Sequence, residues 1–175
     1  MNKKPIELLL NLKRVNYFAG KMLTPEDFRT EQQYFKDRMK LHNRFLHGYG
    51  IVSGIGVSIY AKSPEAIVVS PGYAIDPQGN DVILSMDMQG SFPSAGTAAY
   101  LVLCWAEREV DLMPISYSGG EGEQLVASRI EEYTLLKYET DKRKADQTGV
   151  VLARLKKIRG KWKIDKQFRT HRVRT

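Results

Sequence analysis

The pattern of apolar and polar positions changes character twice along the chain. Two apolar stretches, IELLLNL and VNYFAGKML, predict an extended leading segment that ends near a turn glycine. Apolar side chains then recur at helical spacing, and after Gly50 the period becomes that of strands. The pattern therefore predicts one globular unit with three parts: an N-terminal docking arm at 1–23, a long helix at 24–47 and a β-rich domain at 48–175.

The predicted helix has clear start and stop signals. Thr24 is a suitable N-cap, Pro25 fits the first helical position, and Gly48 is a usual C-terminal stop. One face is apolar, which indicates packing against the rest of the fold, and the opposite face is polar. The apolar face consists of Phe28, Phe35, Met39, His42 and Leu46, and the polar face of Arg29, Gln33, Lys36, Lys40 and Asn43.

Short apolar runs separated by turn signals follow the helix. The turns include Pro71-Gly72, a Pro-Gln-Gly-Asn stretch at 77–80, and Arg159-Gly160. The run at 98–105 is apolar on both faces, which predicts a central strand that is covered on both sides. The fold class predicted is α+β, with the arm and one long helix followed by a mostly antiparallel β-sandwich or open barrel of six or seven strands. Polar loops are predicted at 114–124 and 140–149.

Four glycines and two histidines lie where the helix meets the first strand. A phosphate-binding loop requires a strand, then glycines, then a helix, whereas here the helix comes first. Two histidines five residues apart point about 140° from each other on an α-helix, so we expect no metal site. The glycines predict a sharp corner, and His42 is expected to be a hydrogen-bonded core side chain. The residues assigned to this structural corner are His42, Asn43, Arg44, His47, Gly48, Gly50 and Gly54.

Candidate catalytic residues are few. Glu107, Glu109 and Asp111 alternate along a predicted strand and therefore project from one face. Such a row can hold a cation or act in acid–base chemistry, but no histidine, nucleophile or glycine-framed pocket accompanies it, so a solvated edge or pairing with basic neighbours is favoured. Cys104 lies in the apolar strand and is expected to be packed core. We therefore predict no enzyme activity, no cofactor and no metal, with a carboxylate-based enzyme as an open alternative.

Charge is distributed unevenly along the 175 residues, whose formal net charge is +7. Residues 1–50 carry 10 basic and 5 acidic side chains, and residues 154–175 carry 10 basic and 1 acidic. The remaining middle is acidic, with 7 basic and 14 acidic side chains. This segregation favours head-to-tail contact between copies or contact with an acidic partner. No apolar run is long enough for a signal peptide or a membrane helix, so we expect synthesis in the cytoplasm and no membrane insertion.

The basic C-terminal stretch permits two interpretations. It interleaves Trp162 and Phe168 with lysines and arginines, which is the composition of a nucleic-acid-binding surface. The same alternation fits a β-hairpin that buries one face. No known nucleic-acid-binding signature is present, so nucleic-acid binding remains the alternative to protein contact. The predicted buried face of the hairpin consists of Leu155, Ile158, Trp162 and Ile164.

The first half of the chain resembles a known group of proteins. The string VNYFAGKMLTPEDFRTEQQYFKDRMKLHNRFLHGYGIVSGIGVSI, followed by IVVSPGYAIDPQGNDVILS, resembles small proteins encoded with phage-tail-like contractile injection systems of the extracellular type. The matching motifs are NYF-GK-LT-EDF--EQ-Y, HNR-LHG-G-V-G--V and V-PG-AID--G--I, and they extend from about Val15 to Ser85. Residues 86–175 carry no motif of this group.

The resemblance implies a structural subunit in or near the baseplate. It implies contact with other baseplate, spike, sheath or tube proteins, and it allows several copies related by rotational symmetry. Assembly would take place in the cytoplasm, into a particle that is then released or anchored. On this interpretation the corner holds the arm at a defined angle for docking, with apolar anchors and basic orienting residues. The interface candidates are Leu8, Leu9, Leu10, Tyr17, Phe18, Lys161, Trp162, Lys163, Arg169 and Arg172.

Overall fold

The chain forms an α+β fold in the computed structural model, which describes residues 12–60, 66–116 and 123–173. One long helix is followed by mostly antiparallel sheets, which confirms the predicted fold class. Helix α1 (Pro25–His42) continues into a π-helical turn (Asn43–His47). The other elements are β1 (Gly50–Gly54), β2 (Val57–Ile59), β3 (Ala66–Val69), β4 (Gly72–Ile75), β5 (Asp81–Leu84), β6 (Met88–Ser91), β7 (Ala98–Ser116), β8 (Glu123–Glu139), α2 (Lys142–Thr148), β9 (Val150–Ile158) and β10 (Lys161–Ile164).

Helix α1 begins with a complete capping box. The Asp27 amide donates to the Thr24 hydroxyl at 3.3 Å, and the Thr24 amide donates to the Asp27 carboxylate at 3.0 Å. Lys21 pairs with the same carboxylate at 2.9 Å. The hydrogen bond from Lys21, followed by those from Thr24, lowers the pKa of Asp27 to about 2. These contacts confirm the predicted start of the helix and orient the segment that precedes it.

The described strands form three antiparallel sheets, in the orders β1-β4-β5, β2-β3-β6 and β10-β9-β7-β8. The first part of strand β7, up to Cys104, is covered on both faces, as predicted. Its Leu101 and Leu103 join the main core, and Val102 and Cys104 pack with Ala145 of α2 in a second cluster. Burial raises the pKa of the Cys104 thiol to about 11, so this cysteine is inert packed core.

Both predicted polar loops contain regular structure. Strands β7 and β8 extend into both ends of the first one, because their pairing continues to Ser116 opposite Glu123. Helix α2 occupies the second, where the Asp141 carboxylate accepts from the Arg143 and Lys144 amides at 2.6 and 3.2 Å. In the β9–β10 hairpin Ile158 is exposed, which corrects its predicted burial. The reason is register, since Ile158 pairs with Lys161 on the face opposite Leu155.

The apolar face of α1 points away from the sheets, which is the opposite of the predicted orientation. Its polar face, represented by Lys36, Lys40 and Asn43, is the side that contacts the β-rich part. No residue of α1 itself is buried. The exposed fractions are 55% for Phe28, 60% for Phe35, 54% for Met39 and 70% for Leu46.

The turn between β4 and β5 packs directly under the end of α1. A Cβ atom on Gly79 would lie 2.9 Å from both the Lys40 Cα and the Arg44 Cγ, and closer still to the Lys40 carbonyl oxygen. Gly79 also has a φ of +92°, a conformation that side chains other than glycine rarely adopt. Helix and turn therefore fit together only because position 79 lacks a side chain.

We predict that Gly79→Ala destabilises the fold more than Gly160→Ala. Both glycines have positive φ, but a Cβ on Gly160 would meet nothing within 4 Å. The backbone strain of about 1–2 kcal/mol is shared by both variants. Overpacking against α1 adds about 1–3 kcal/mol for Gly79→Ala alone. Urea unfolding of the two variants measures the difference, and equal losses of unfolding free energy would contradict the close contact.

Candidate functional site

Asn43 fixes the end of the helix on the sheet. Its side chain is only 4% exposed, and its Nδ2 donates to the Gly79 carbonyl and to the Asp81 Oδ1, both at 2.9 Å. The same Asp81 oxygen accepts from the Tyr73 hydroxyl. Because a buried amide is costly without partners, this network selects one position for the helix end.

The turn that receives Asn43 is built independently of the helix. The Asp76 carboxylate is buried and accepts from the Gln78 and Asn80 amides, both at 2.8 Å, and from the Asn80 side chain at 2.7 Å. These bonds close an Asx-type turn and satisfy a carboxylate that water cannot reach. The turn therefore presents the Gly79 carbonyl in a fixed direction.

Two further contacts set the direction of α1 above strands β7 and β8. Lys36 Nζ lies 2.6 Å from the Glu107 carboxylate, and Lys40 Nζ lies 5.2 Å from the centroid of the Trp105 ring. The Trp105 indole in turn donates to Glu132 at 3.2 Å. Exposed contacts of this kind contribute little stability, so their effect is mainly orientation.

Close backbone approach explains two of the corner glycines. A Cβ on Gly50 would lie 2.6 Å from the His171 carbonyl oxygen, and one on Gly54 would lie 2.9 Å from the Gly72 Cα. The first contact exists because the C-terminal segment pairs with β1. The Ile51 amide donates to the His171 carbonyl at 2.9 Å, and the Val173 amide donates to the Ile51 carbonyl at 3.0 Å. Gly48 differs, since a Cβ there would meet nothing within 4 Å, and its role is the positive φ of +78° that ends the helix.

The histidines of the corner are arranged differently from the prediction. His42 is exposed and does not lie in the core. The Nε2 atoms of His42 and His47 are 3.1 Å apart, although the α-helical angle predicts divergent rings. The reason is the π-helical turn, whose i to i+5 bonding brings residues five apart onto the same side. Arg44, between them, is also exposed, and its guanidinium carbon lies 5.9 Å from the Phe45 ring centroid.

Two of the three carboxylates predicted to form a row on β7 face basic partners. Glu107 pairs with Lys36, and Asp111 pairs with Arg129 on the neighbouring strand. Asp111 also has a φ of +55°, which interrupts the alternation that would place it in one row with Glu109. In residues 12–60, 66–116 and 123–173, no group of three or more His, Cys, Asp or Glu side chains is placed to hold a metal ion. The described part of the chain also contains no helix long and apolar enough to cross a membrane.

The arm candidates divide into described and undescribed positions. Tyr17 and Phe18 are exposed. The segment that carries them is attached to α1 by Val15, which is buried and whose amide donates to the Glu31 carboxylate at 3.3 Å. The three leucines Leu8, Leu9 and Leu10 lie outside the described residues.

The basic candidates at the C-terminal end also differ from one another. Lys161, Lys163, Arg169 and Arg172 are exposed. Trp162 is partly buried against the core, and its indole donates to the Pro93 carbonyl at 2.9 Å. Trp162 therefore serves the packing of the hairpin and is not a free aromatic surface.

Part of the basic charge near this hairpin is neutralised within the chain. Lys156 Nζ lies 2.7 Å from the Asp165 carboxylate, and Arg154 approaches the same group at 4.0 Å. These pairs lower the pKa of Asp165, chiefly through the hydrogen bond from Lys156. Lys157 Nζ lies over the Trp162 ring, 5.8 Å from the ring centroid. The row of free cations and stacking aromatics that nucleic-acid binding requires is therefore weaker than the sequence indicates.

A second group of exposed apolar side chains, on both faces of a two-stranded ribbon, was missed from the sequence. The outer part of the β7–β8 ribbon carries large apolar side chains that no described residue covers. The signal in the sequence was the presence of apolar residues on both sides of the predicted polar loop at 114–124. These exposed residues are Leu112, Met113, Leu125, Val126 and Ile130.

The fold is similar to solved structures of type VI secretion system baseplate proteins. A chain of the TssK–TssF–TssG baseplate subcomplex superposes with a TM-score of 0.57 at 13% identity, covering 92% of this chain and 62% of that chain. A chain of the type VI baseplate complex gives 0.57 at 14% identity, covering 92% and 60%. The crystal structure of TssK gives 0.56 at 14% identity, covering 89% and 41%. No protein-family model and no curated protein matches the sequence.

These comparisons show a shared fold. The chain spans about 40–60% of the length of the matched structures. Large apolar side chains are exposed in the described residues on the outward face of α1, in the arm beside it and on the outer part of the β7–β8 ribbon.

We predict that Tyr73→Phe alters the stability of the protein at high pH. Burial, and secondly the hydrogen bond to Asp81, raises the pKa of Tyr73 to about 12. The unfolded chain releases this proton near pH ~10, so the contribution of Tyr73 is complete below pH ~10 and is lost as the pH rises toward ~12. The difference in unfolding free energy between wild type and Tyr73→Phe should therefore shrink over this range in urea titrations. Tyr17→Phe, which removes an exposed hydroxyl, is the control and should follow the wild-type profile; a constant difference for Tyr73→Phe would refute the coupling.

Proposed function

We propose that this chain is a structural, protein-binding subunit in or near the baseplate of a contractile injection apparatus. The observation that carries the proposal is an amphipathic helix with its apolar face directed outward, on a fold shared with baseplate proteins of the type VI secretion system. The sequence resemblance of residues 15–85 to proteins of phage-tail-like systems points to the same kind of particle. The role is architectural, without a catalytic step.

The proposed docking surface is the helix surface, which consists of Phe28, Phe35, Met39, Phe45 and Leu46. All five side chains are more than half exposed. Apolar patches of this kind on a folded protein mark interaction sites, because their burial releases about 25 cal/mol per Å² of apolar area. The occupant we propose is an apolar surface of another baseplate subunit.

The arm extends this surface. Tyr17 and Phe18 are exposed on a segment that Val15 and the Lys21–Asp27 pair attach to α1. Aromatic side chains are preferred interface anchors because they bury a large area at little conformational cost. We propose Leu8, Leu9 and Leu10 as further anchors of the arm.

The basic C-terminal end would orient the subunit in the assembly. Lys161, Lys163, Arg169 and Arg172 are exposed on one terminal segment of the chain. Charges at the rim of an interface affect approach and specificity more than affinity, and salt weakens them. The other baseplate, spike, sheath or tube proteins are the proposed partners, and copies related by rotational symmetry fit the uneven charge distribution.

We predict that a triple variant, Phe28→Ser, Phe35→Ser and Met39→Ser, folds normally and fails to join its assembly. The three side chains are exposed, so thermal unfolding should stay close to wild type, with each site contributing no more than about 0.5 kcal/mol. Incorporation into particles purified from the native cells should be lost, because these side chains supply the apolar contact. The matched control is Ile83→Ser, which removes an equally exposed apolar side chain from β5. Normal incorporation of the triple variant would overturn the proposed helix surface.

We also predict that partner capture is sensitive to salt and insensitive to nuclease. When the tagged chain is purified from its native cell lysate, the proteins recovered with it should include baseplate, spike, sheath or tube proteins. Their recovery should fall at high salt if the basic C-terminal end contributes to the contact. Recovery that disappears on nuclease treatment would reject the protein-docking proposal and favour the nucleic-acid alternative. Lys163→Glu combined with Arg169→Glu tests the basic end directly, with Lys142→Glu on α2 as the control for a change of charge elsewhere.

A further inference from the structure

The π-helical turn at the end of α1 creates a pair of imidazoles on the protein surface. His42 and His47 are both exposed, and their Nε2 atoms lie 3.1 Å apart. The two ring planes are inclined by 59° and their centroids are 5.0 Å apart, so the rings are tilted toward each other and are not stacked. Single π-helical turns inside α-helices occur frequently at functional sites.

The separation of these nitrogens matches the spacing of two ligands on one metal ion. Imidazole nitrogens bind Zn²⁺ at about 2.0–2.1 Å, so two of them at tetrahedral or square-planar angles lie about 2.9–3.4 Å apart. Within the described residues neither Nδ1 atom has a hydrogen-bond partner. Without a metal ion, one ring donates its Nε2 proton to the other Nε2 in a hydrogen bond. When both rings carry their protons on Nδ1, a metal ion can take the place of that shared proton.

The charge around the pair is compatible with a cation. Arg44 lies between the two histidines in the turn, and its side chain is directed toward Gly79 and Phe45 and not toward the imidazole pair. Its Cγ lies near Gly79, and its guanidinium carbon lies over the Phe45 ring. The two imidazoles are ligands in their neutral form, so they add no positive charge to the site.

We propose that His42 and His47 together bind one transition-metal ion of the Zn²⁺, Ni²⁺ or Cu²⁺ class through their Nε2 atoms. Imidazole suits these three ions, whereas Mg²⁺ and Ca²⁺ require oxygen ligands. Two protein ligands leave the remaining coordination positions to water. The site would lie next to Leu46 and Phe45 at the corner, and it does not depend on the proposed baseplate role.

Copper titration of the untagged full chain tests the proposal directly. Electron paramagnetic resonance of the Cu²⁺-loaded protein should show one bound ion per chain with the hyperfine pattern of two imidazole nitrogens. His42→Ala and His47→Ala should each leave at most one of these nitrogens and lower the affinity about tenfold or more. His171→Ala is the matched control, since it removes the third histidine of the chain and should leave the signal unchanged. A wild-type spectrum with one imidazole nitrogen, or equal affinity in all three variants, would overturn the site.

A second measurement keeps the test independent of how the variants fold. Zn²⁺ bound only by the folded state raises the unfolding temperature by an amount that grows with the ratio of free Zn²⁺ to its dissociation constant. Wild type and His171→Ala should therefore melt at a higher temperature with Zn²⁺ than with a chelator. The His42→Ala/His47→Ala double variant should show no such shift, and far-UV circular dichroism establishes whether it retains the wild-type fold. A shift of equal size in a folded double variant would assign the ion to another place and refute the proposal.

Discussion

The contact between the end of α1 and the β4–β5 turn determines which face of the helix meets the sheets and which face meets solvent. Asn43 inserts its amide between the Gly79 carbonyl and the Asp81 carboxylate, and Gly79 permits the helix backbone to approach. A buried amide with two partners has one acceptable position, because displacement leaves the Asn43 amide and the buried Gly79 carbonyl without these hydrogen bonds. Since Asn43 lies on the polar face, fixing it toward the sheet turns the apolar face of the same helix toward solvent.

This arrangement reverses the usual relation between an amphipathic helix and its domain. The helix contributes no side chain to either hydrophobic cluster, and the sheets form their core without it. Its orientation depends on Asn43, the Lys36–Glu107 pair and the contact of Lys40 with Trp105. The sheets therefore hold the helix in a fixed direction on their surface, with its apolar face exposed to solvent.

The sequence revealed those features that depend on local chemistry. The capping box of α1, the doubly covered strand around Cys104 and the turns at Pro71-Gly72 and Arg159-Gly160 follow from residues next to each other in the chain. Periodicity identified which face of α1 is apolar, but what covers that face depends on distant groups such as Asp81 and Gly79. Helix α2 was missed because its seven residues bury only Ala145, which gives no apolar period. The π-helical turn was missed because one extra residue in a single turn leaves no signal in the apolar periodicity. This turn brings the rings of His42 and His47 together, whereas an α-helix would direct them apart.

The size of the uncovered surface bears on how such a subunit would associate. The five side chains of the helix surface are between 54% and 70% exposed. Burial of these exposed fractions would release about 4.5–9 kcal/mol, if a side chain that passes from fully exposed to fully buried contributes about 1.5–3 kcal/mol. Association itself costs about 4–15 kcal/mol in lost translational and rotational freedom, so the helix surface alone supports at most a weak complex. A stable assembly would therefore require a second contact on the same subunit. We propose that the arm supplies it, because Tyr17 and Phe18 are exposed on a segment that Val15 attaches to α1.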